Sequence, residues 1–137
     1  LKKHNITTAL HLKNYPVIVE MRNIKWQNDQ VYKALHQRNT GWCITDNPNH
    51  KDLLKLDFTA TSDIAYLRFH GRSLENWYTG NNVSRYDYMY SDSELQTFIE
   101  PVKELLKNTK IVQLFFNNHA KSQAAVNAKK LEMLLKS

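Results

Sequence analysis

The feature that most constrains this chain is a repeated change of hydrophobic period. Four short runs, residues 16–22, 42–46, 64–70 and 111–117, are rich in β-branched and aromatic residues, as strands are. Between them, apolar residues recur at helical spacing. Residues 28–38 carry Val31, Ala34 and Leu35 on one side. Residues 91–107 carry Leu95, Phe98, Val102, Leu105 and Leu106, and residues 122–135 carry Ala124, Ala128, Leu131 and Leu135. Ser91 and Glu94 form a capping-box pattern, and Pro101 predicts a kink or break in the helix they open. Residues 1–12 read as the end of a preceding helix. The order helix, β, α, β, loop, β, α, β, α calls for an α/β fold, a parallel sheet with outer helices, in one domain or domain fragment spanning residues 1–137.

Strand side chains alternate between faces, which divides each run into two sets. Ile18, Glu20 and Arg22 oppose Val17, Val19 and Met21. Ile44 and Asp46 share a face. Tyr66, Arg68 and His70 oppose Ala65, Leu67 and Phe69, and Gln113, Phe115 and Asn117 oppose Val112, Leu114 and Phe116. In three strands one set is wholly apolar while the other carries ionisable or amide groups. Both faces of an open doubly wound sheet meet helices and should be apolar. A barrel has an interior whose C-terminal mouth can hold polar groups around a ligand. The pattern favours a barrel, with Glu20, Arg22, Asp46, Arg68, His70 and Asn117 converging at its mouth. The competing reading is that Glu20 pairs with Arg22 or Arg68 only to neutralise a buried charge. Residues 71–90, which hold Trp77, Tyr78, Asn81, Asn82, Arg85, Tyr86, Asp87, Tyr88 and Tyr90, leave the C-terminal end of the third run. Long ordered loops at that end of a strand are where parallel α/β proteins keep their sites.

Charge and composition narrow the partners. A net charge of +6 favours anions, although the lysines are scattered and most read as a solvated surface. No apolar run approaches the ~18 residues of a membrane span, and the first residues do not resemble a signal peptide. The chain begins with Leu1 rather than Met, as a fragment or processed form would. Cys43 is the sole cysteine, flanked by Trp42 and Ile44, so inert packing and a reducing cytoplasm are expected. Gly41, Gly71 and Gly80 are the only glycines, and no dinucleotide fingerprint, P-loop or nucleophile elbow is present.

Several segments are familiar. Residues 65–72, Ala-Tyr-Leu-Arg-Phe-His-Gly-Arg, residues 85–91, Arg-Tyr-Asp-Tyr-Met-Tyr-Ser, and Phe115-Phe116-Asn117-Asn118-His119 followed by Gln123 and Asn127 resemble motifs of the YecE-like family, also called domain of unknown function 72. Val19-Glu20-Met21-Arg22 with Trp26 is similar to another, with Met21 in place of the usual Phe, and Ile44-Thr45-Asp46 to the end of a further strand. The motifs stand in the family's order along nearly the whole chain. The resemblance implies the C-terminal half of a (β/α)8 TIM-type barrel, its fifth to eighth strands. It implies no activity, because the family has none firmly established, and the cofactor stays open.

Two function classes and one assembly reading follow. The first is an enzyme or binding site for a small anionic molecule, phosphorylated, carboxylate or sugar-like. Glu20 and Asp46 would be general base or acid and His70 a proton carrier. Arg22, Arg68, Arg72 and Arg85 would bind anionic oxygens. Trp77, Tyr86 and Tyr88 would stack on a ring, and Asn117, Asn118 and His119 precede a helix N-terminus suited to an anion. A metal variant would use Glu20, Asp46, His70 and His119. The spacing matches no metal motif and the arginines disfavour a cation, so no metal is assigned. The second class is a single-stranded nucleic-acid-binding module built on the Tyr/Trp/Arg loop. The third reading is a half-barrel whose two open strand edges pair with a second copy or with an N-terminal half.

Overall fold

A computed structural model describes residues 15–81 and 84–137; the expected helix at 1–12 and Asn82 lie outside them. Strands β1 (Ile18–Val19), β2 (Gly41–Asp46), β3 (Ile64–Phe69) and β4 (Ile111–Phe116) form one parallel sheet in sequential order. The first strand is shorter than its sequence suggests. Only Ile18 and Val19 join the ladder, and the chain then enters a 3-10 turn, Ile24–Trp26. The Asn23 side chain accepts a hydrogen bond from the Lys25 amide and so caps that turn.

Helix α1 (Asp29–His36) starts at Asn28, whose side chain accepts from the Val31 amide. Such a cap contributes about 1 kcal/mol. Residues 47–63 cross from β2 to β3 without a helix. The loop after β3 contains a short helix, α2 (Glu75–Thr79), and a 3-10 turn, Ser84–Tyr86. The stretch after it divides into α3 (Asp92–Thr97) and α4 (Ile99–Asn108). Pro101 explains the division, because it has no N–H to offer the Thr97 carbonyl and its ring crowds that group. Helix α5 (Gln123–Lys136) follows β4.

The core lies between the sheet and these helices. Trp42, Ile44, Ala65, Leu67 and Phe69 pack with Leu95, Phe98, Val102, Leu105 and Leu131. Phe69 stacks on Phe116 at 4.4 Å and meets Phe98 edge-on at 4.8 Å. The helical spacing in α5 misled in one respect. Gln123, Asn127 and Leu131 form its buried line, whereas Ala128 is exposed and Ala124 and Leu135 only half-buried. The two amides turn inward because hydrogen-bond partners wait there, as described below. The other face of the sheet is covered over β2 and open over β4. There Tyr66 stacks on Phe115 at 4.7 Å, and Phe115 and Ile111 are 44% and 48% exposed. Among the described residues no helix is long and apolar enough to cross a membrane.

Candidate functional site

The ladder register sorts the polar strand residues. Cys43 pairs with Tyr66 and Thr45 with Arg68, while Ile44 pairs with Leu67 and Asp46 with Phe69. Residues in register project to the same side. The open face therefore carries Tyr66 and Arg68, with His70 continuing their alternation. Glu20, just past β1, is the centre of a cluster there. Arg68 Nη1 lies 2.5 Å from Glu20 Oε2, His70 Nε2 lies 3.5 Å from Oε1, and Arg22 Nη2 lies 3.6 Å from Oε1. Asn117 Nδ2 is 3.2 Å from His70 Nδ1. An amide donating to Nδ1 leaves the proton of the neutral ring on Nε2, facing Glu20.

Aromatic rings enclose this cluster. Trp77 and Tyr86 lie 6.2 and 5.8 Å from the His70 ring and 6.1 Å from each other, nearly perpendicular. The His119 ring is 5.5 Å beyond Tyr86. Arg85, beside Tyr86, is half-buried, and its enclosed Nε has no hydrogen-bond partner among the described residues. An enclosed donor without an acceptor is unusual in a finished interior.

The electrostatics follow from the contacts. Hydrogen bonding to His70, supported by Arg68, holds the Glu20 carboxyl down at about 2 despite the opposing effect of burial. Burial opposes the Arg68 charge, but its contacts with Glu20 and neighbouring groups leave it above the usual arginine range. Burial, with Glu20 nearby, pushes the Cys43 thiol up to about 12, so it stays protonated and unreactive at neutral pH. Accessibility ranks the groups: the side chain of His70 is 4% exposed, Glu20 19%, Arg68 28% and Arg22 70%. Arg22, Arg68 and Glu20 are thus the members of the cluster that solvent reaches, and His70 lies behind Glu20.

The helix-facing side holds a second polar cluster, and it takes four residues expected in the first: Asp46, Arg72, Tyr88 and Asn118. Asp46, 3% exposed, receives Arg72 Nε at 2.9 Å and Nη2 at 2.8 Å, and the Tyr90 hydroxyl at 2.6 Å. Arg72 Nη1 reaches Glu94 Oε1 at 3.2 Å, where the Tyr88 hydroxyl also donates at 2.6 Å. Glu94 completes the capping box with Ser91. Asn118, fully buried, donates to the Tyr88 carbonyl at 2.7 Å and to Asn127 Oδ1 at 2.8 Å. Asn127 grips both backbone groups of Tyr90, and Gln123 donates to Asp87 at 2.8 Å. The expectation that Asp46 converges with Glu20, and that Arg72, Tyr88 and Asn118 contact a ligand at the same site, is thus corrected. The physical reason is strand parity: Asp46 follows Ile44 onto the helix side, whereas Cys43 and Thr45 face the cluster of Glu20. This second cluster fastens the loop between β3 and α3. Burial first, and then the neighbouring Asp46, push the Tyr90 hydroxyl far above its ordinary range, so it remains a donor. Tyr90 was legible only as a loop aromatic, and its role became visible once the loop was folded back onto Asp46.

Of the four candidate metal ligands, Glu20 and His70 meet, Asp46 lies on the other side of the sheet and His119 lies against Tyr86. Among the described residues no three His, Cys, Asp or Glu side chains gather as a metal ion would require.

Comparison with known proteins identifies the family of the chain. The UPF0759 protein YunF of Bacillus subtilis (strain 168) is 30% identical over 149 residues, covering 98% of this chain and 53% of that protein. The crystal structure of a DUF72 family protein from Thermotoga maritima superposes with a TM-score of 0.89 at 34% identity, over 100% of this chain and 54% of that one. A DUF72 family protein from Enterococcus faecalis shares the fold at 22% identity, with a TM-score of 0.81 over 57% of its length. The chain spans about half the length of these relatives, as a half-barrel would. The family model described as protein of unknown function DUF72 matches residues 3–137, and the chain belongs to that family.

Proposed function

We propose that the Glu20 cluster is part of the mouth of a (β/α)8-type barrel and takes a small anionic, ring-bearing molecule for acid–base chemistry. One observation carries this reading. A partly exposed carboxylate just past β1 is held by Arg68 in β3 and by His70 just past it, Asn117 at the end of β4 contacts His70, and the rings of Trp77 and Tyr86 stand beside His70. An ion pair that served folding alone would need neither the rings nor the opening.

The chemistry follows from what holds Glu20. In the resting site it is ionised, and a carboxylate at about 2 is a weak base at neutral pH. Its low proton affinity depends on His70 and Arg68. An anionic group of a ligand that draws Arg68 or Arg22 toward itself weakens that hold. Glu20 then gains proton affinity at the moment a ligand hydroxyl or acidic C–H is beside it. Binding and base activation are coupled through the same guanidinium. His70 and Asn117 orient the carboxylate, and Trp77 and Tyr86 supply the wall for a ring.

The test is a thermal-shift screen of this chain against sugar phosphates, carboxylates and nucleotides, repeated on Arg68→Ala and Glu20→Gln. A ligand that binds only the folded chain raises Tm by mass action. The expected result is a shift with one ring-bearing anion, lost in Arg68→Ala while that variant still melts cooperatively. If Arg68→Ala binds as well as the parent chain, the cluster is a structural ion pair and the reading is wrong.

A further inference from the structure

The arginines of the two polar clusters use their donors differently. Arg72, on the helix side, gives Nε and Nη2 to Asp46 at 2.9 and 2.8 Å and Nη1 to Glu94 at 3.2 Å. That two-pronged fit is the geometry of a completed ion pair. Arg68 donates one side-chain hydrogen bond among the described residues, from Nη1 to Glu20 Oε2 at 2.5 Å. Arg22 donates none among them, and its Nη2 stops 3.6 Å from Glu20 Oε1. A guanidinium carries several N–H donors in a planar fork, so most of those on Arg22 and Arg68 are uncommitted.

Both guanidiniums meet the same carboxylate. Arg68 takes Oε2, while Arg22 Nη2 and His70 Nε2 approach Oε1, the latter at 3.5 Å. Three side chains are thus gathered around the outline of one planar anion. His70 joins that point to the ring wall, its centroid 6.2 Å from Trp77 and 5.8 Å from Tyr86. The charges in contact do not balance, because two guanidiniums meet one carboxylate. Asp46 and Glu94 do not supply the missing negative charge, since Arg72 holds both. Arg85, whose enclosed Nε has no partner among the described residues, adds to the surplus beside Tyr86.

We propose that Glu20 is the resting occupant of a carboxylate site: the anion of a ring-bearing carboxylic acid takes the free donors of Arg22 and Arg68, displaces Glu20 from Arg68, and lays its ring against Trp77 and Tyr86. This rests on the pocket reading and names the class of anion that fills it. The donors already surround a planar carboxylate, so a second group of that shape meets them without rearrangement of the strands. A carboxylate also brings the single negative charge that the contacts with Glu20 leave unmatched. A phosphate ester brings about 1.5–2 negative charges at neutral pH and sets them beside Glu20, where like charges repel.

Binding to this chain is measured by isothermal titration at neutral pH for two matched sets: glucose, glucuronate and glucose 6-phosphate; benzamide, benzoate and phenyl phosphate. The expected result is that in one set the carboxylate binds about tenfold or more tightly than the neutral ring and more tightly than the phosphate ester. Arg68→Lys, which keeps the charge and removes the fork, abolishes that preference. So does Arg22→Ala, which trims a side chain that is 70% exposed and is read on a chain that melts as the parent does. Glu20→Gln removes the resting occupant and tightens the carboxylate by about threefold or more. A carboxylate that binds Glu20→Gln no more tightly than the parent overturns the inference. A preference lost in Arg85→Ala but kept in Arg22→Ala also overturns it and moves the anion to the ring wall. Preference for the phosphate ester, lost in Arg68→Lys, overturns the carboxylate class and leaves the pocket reading standing. Failure of every ring-bearing anion overturns both.

Discussion

At the scale of single residues, the protein divides ionisable groups by strand parity. Glu20 and Asp46 are both carboxylates near strand ends, yet one meets the open face and the other is sealed behind the sheet. The sequence reading found both but could not separate them, because Asp46 ends a run too short to display its alternation clearly. Two predictions belong here. The Glu20 carboxyl, ordinarily at 4.5, sits at about 2 in the folded chain. A lowered folded-state value stabilises the protein above the unfolded value, and the gain disappears as pH falls from about 4.5 toward 2. The contribution is about 1–3 kcal/mol after allowance for solvent screening. Urea unfolding across that window should show the loss, and Glu20→Gln should flatten it. Tyr90→Phe removes one donor from the buried Asp46 and the acceptor of the Gly71 amide, which lies 2.9 Å from the Tyr90 hydroxyl. It is expected to destabilise by about 1–3 kcal/mol in the same measurement.

At the scale of elements, the sequence was informative wherever periodicity or a specific residue decided the outcome. The capping box at Ser91 and the break imposed by Pro101 are where the pattern put them, and three of the four strands lie within a residue of their expected bounds. Less was legible where a tertiary partner decided. The first strand gives way after Val19 to a segment that leads into a 3-10 turn capped by Asn23, and α5 turns amides inward to meet Tyr90 and Asp87. The loop after β3 depends on Gly71, whose φ is 89° and whose missing Cβ would lie 2.6 Å from the Cβ of Tyr88. Gly71→Ala is expected to cost about 2 kcal/mol or more, because both the left-handed backbone and the contact oppose a side chain. Thermal unfolding of that variant beside Gly80→Ala tests the backbone component, since Gly80 has a crowded Cβ position but an ordinary φ of −76°.

At the scale of the whole molecule, the sheet is finished on one side and unfinished on the other. Among the described residues β1 and β4 each have one hydrogen-bonded neighbour, and the open face beside β4 presents Phe115 and Ile111. Free strand edges and an apolar patch on one flank invite pairing with another chain. This chain alone is expected to self-associate at high concentration, and Phe115→Glu to shift it toward monomer. Sedimentation velocity checks both. The alternating polar faces were enough to suggest a barrel interior.

The polar lattice around Asp46 and Tyr90 has a consequence for motion. The segment between β3 and α3 is irregular in outline, but its two ends are tied to β2, α3 and α5 through Arg72, Glu94 and Asn127. Backbone amides at those ends, Gly71 and Tyr90, donate to buried side-chain oxygens rather than to water. Both are expected to exchange hydrogen with solvent slowly, in step with opening of the sheet, and hydrogen exchange followed by mass spectrometry checks this. Ends that behave in this way belong to the cooperative folding unit. In the proposed pocket they would be in place before a ligand arrives.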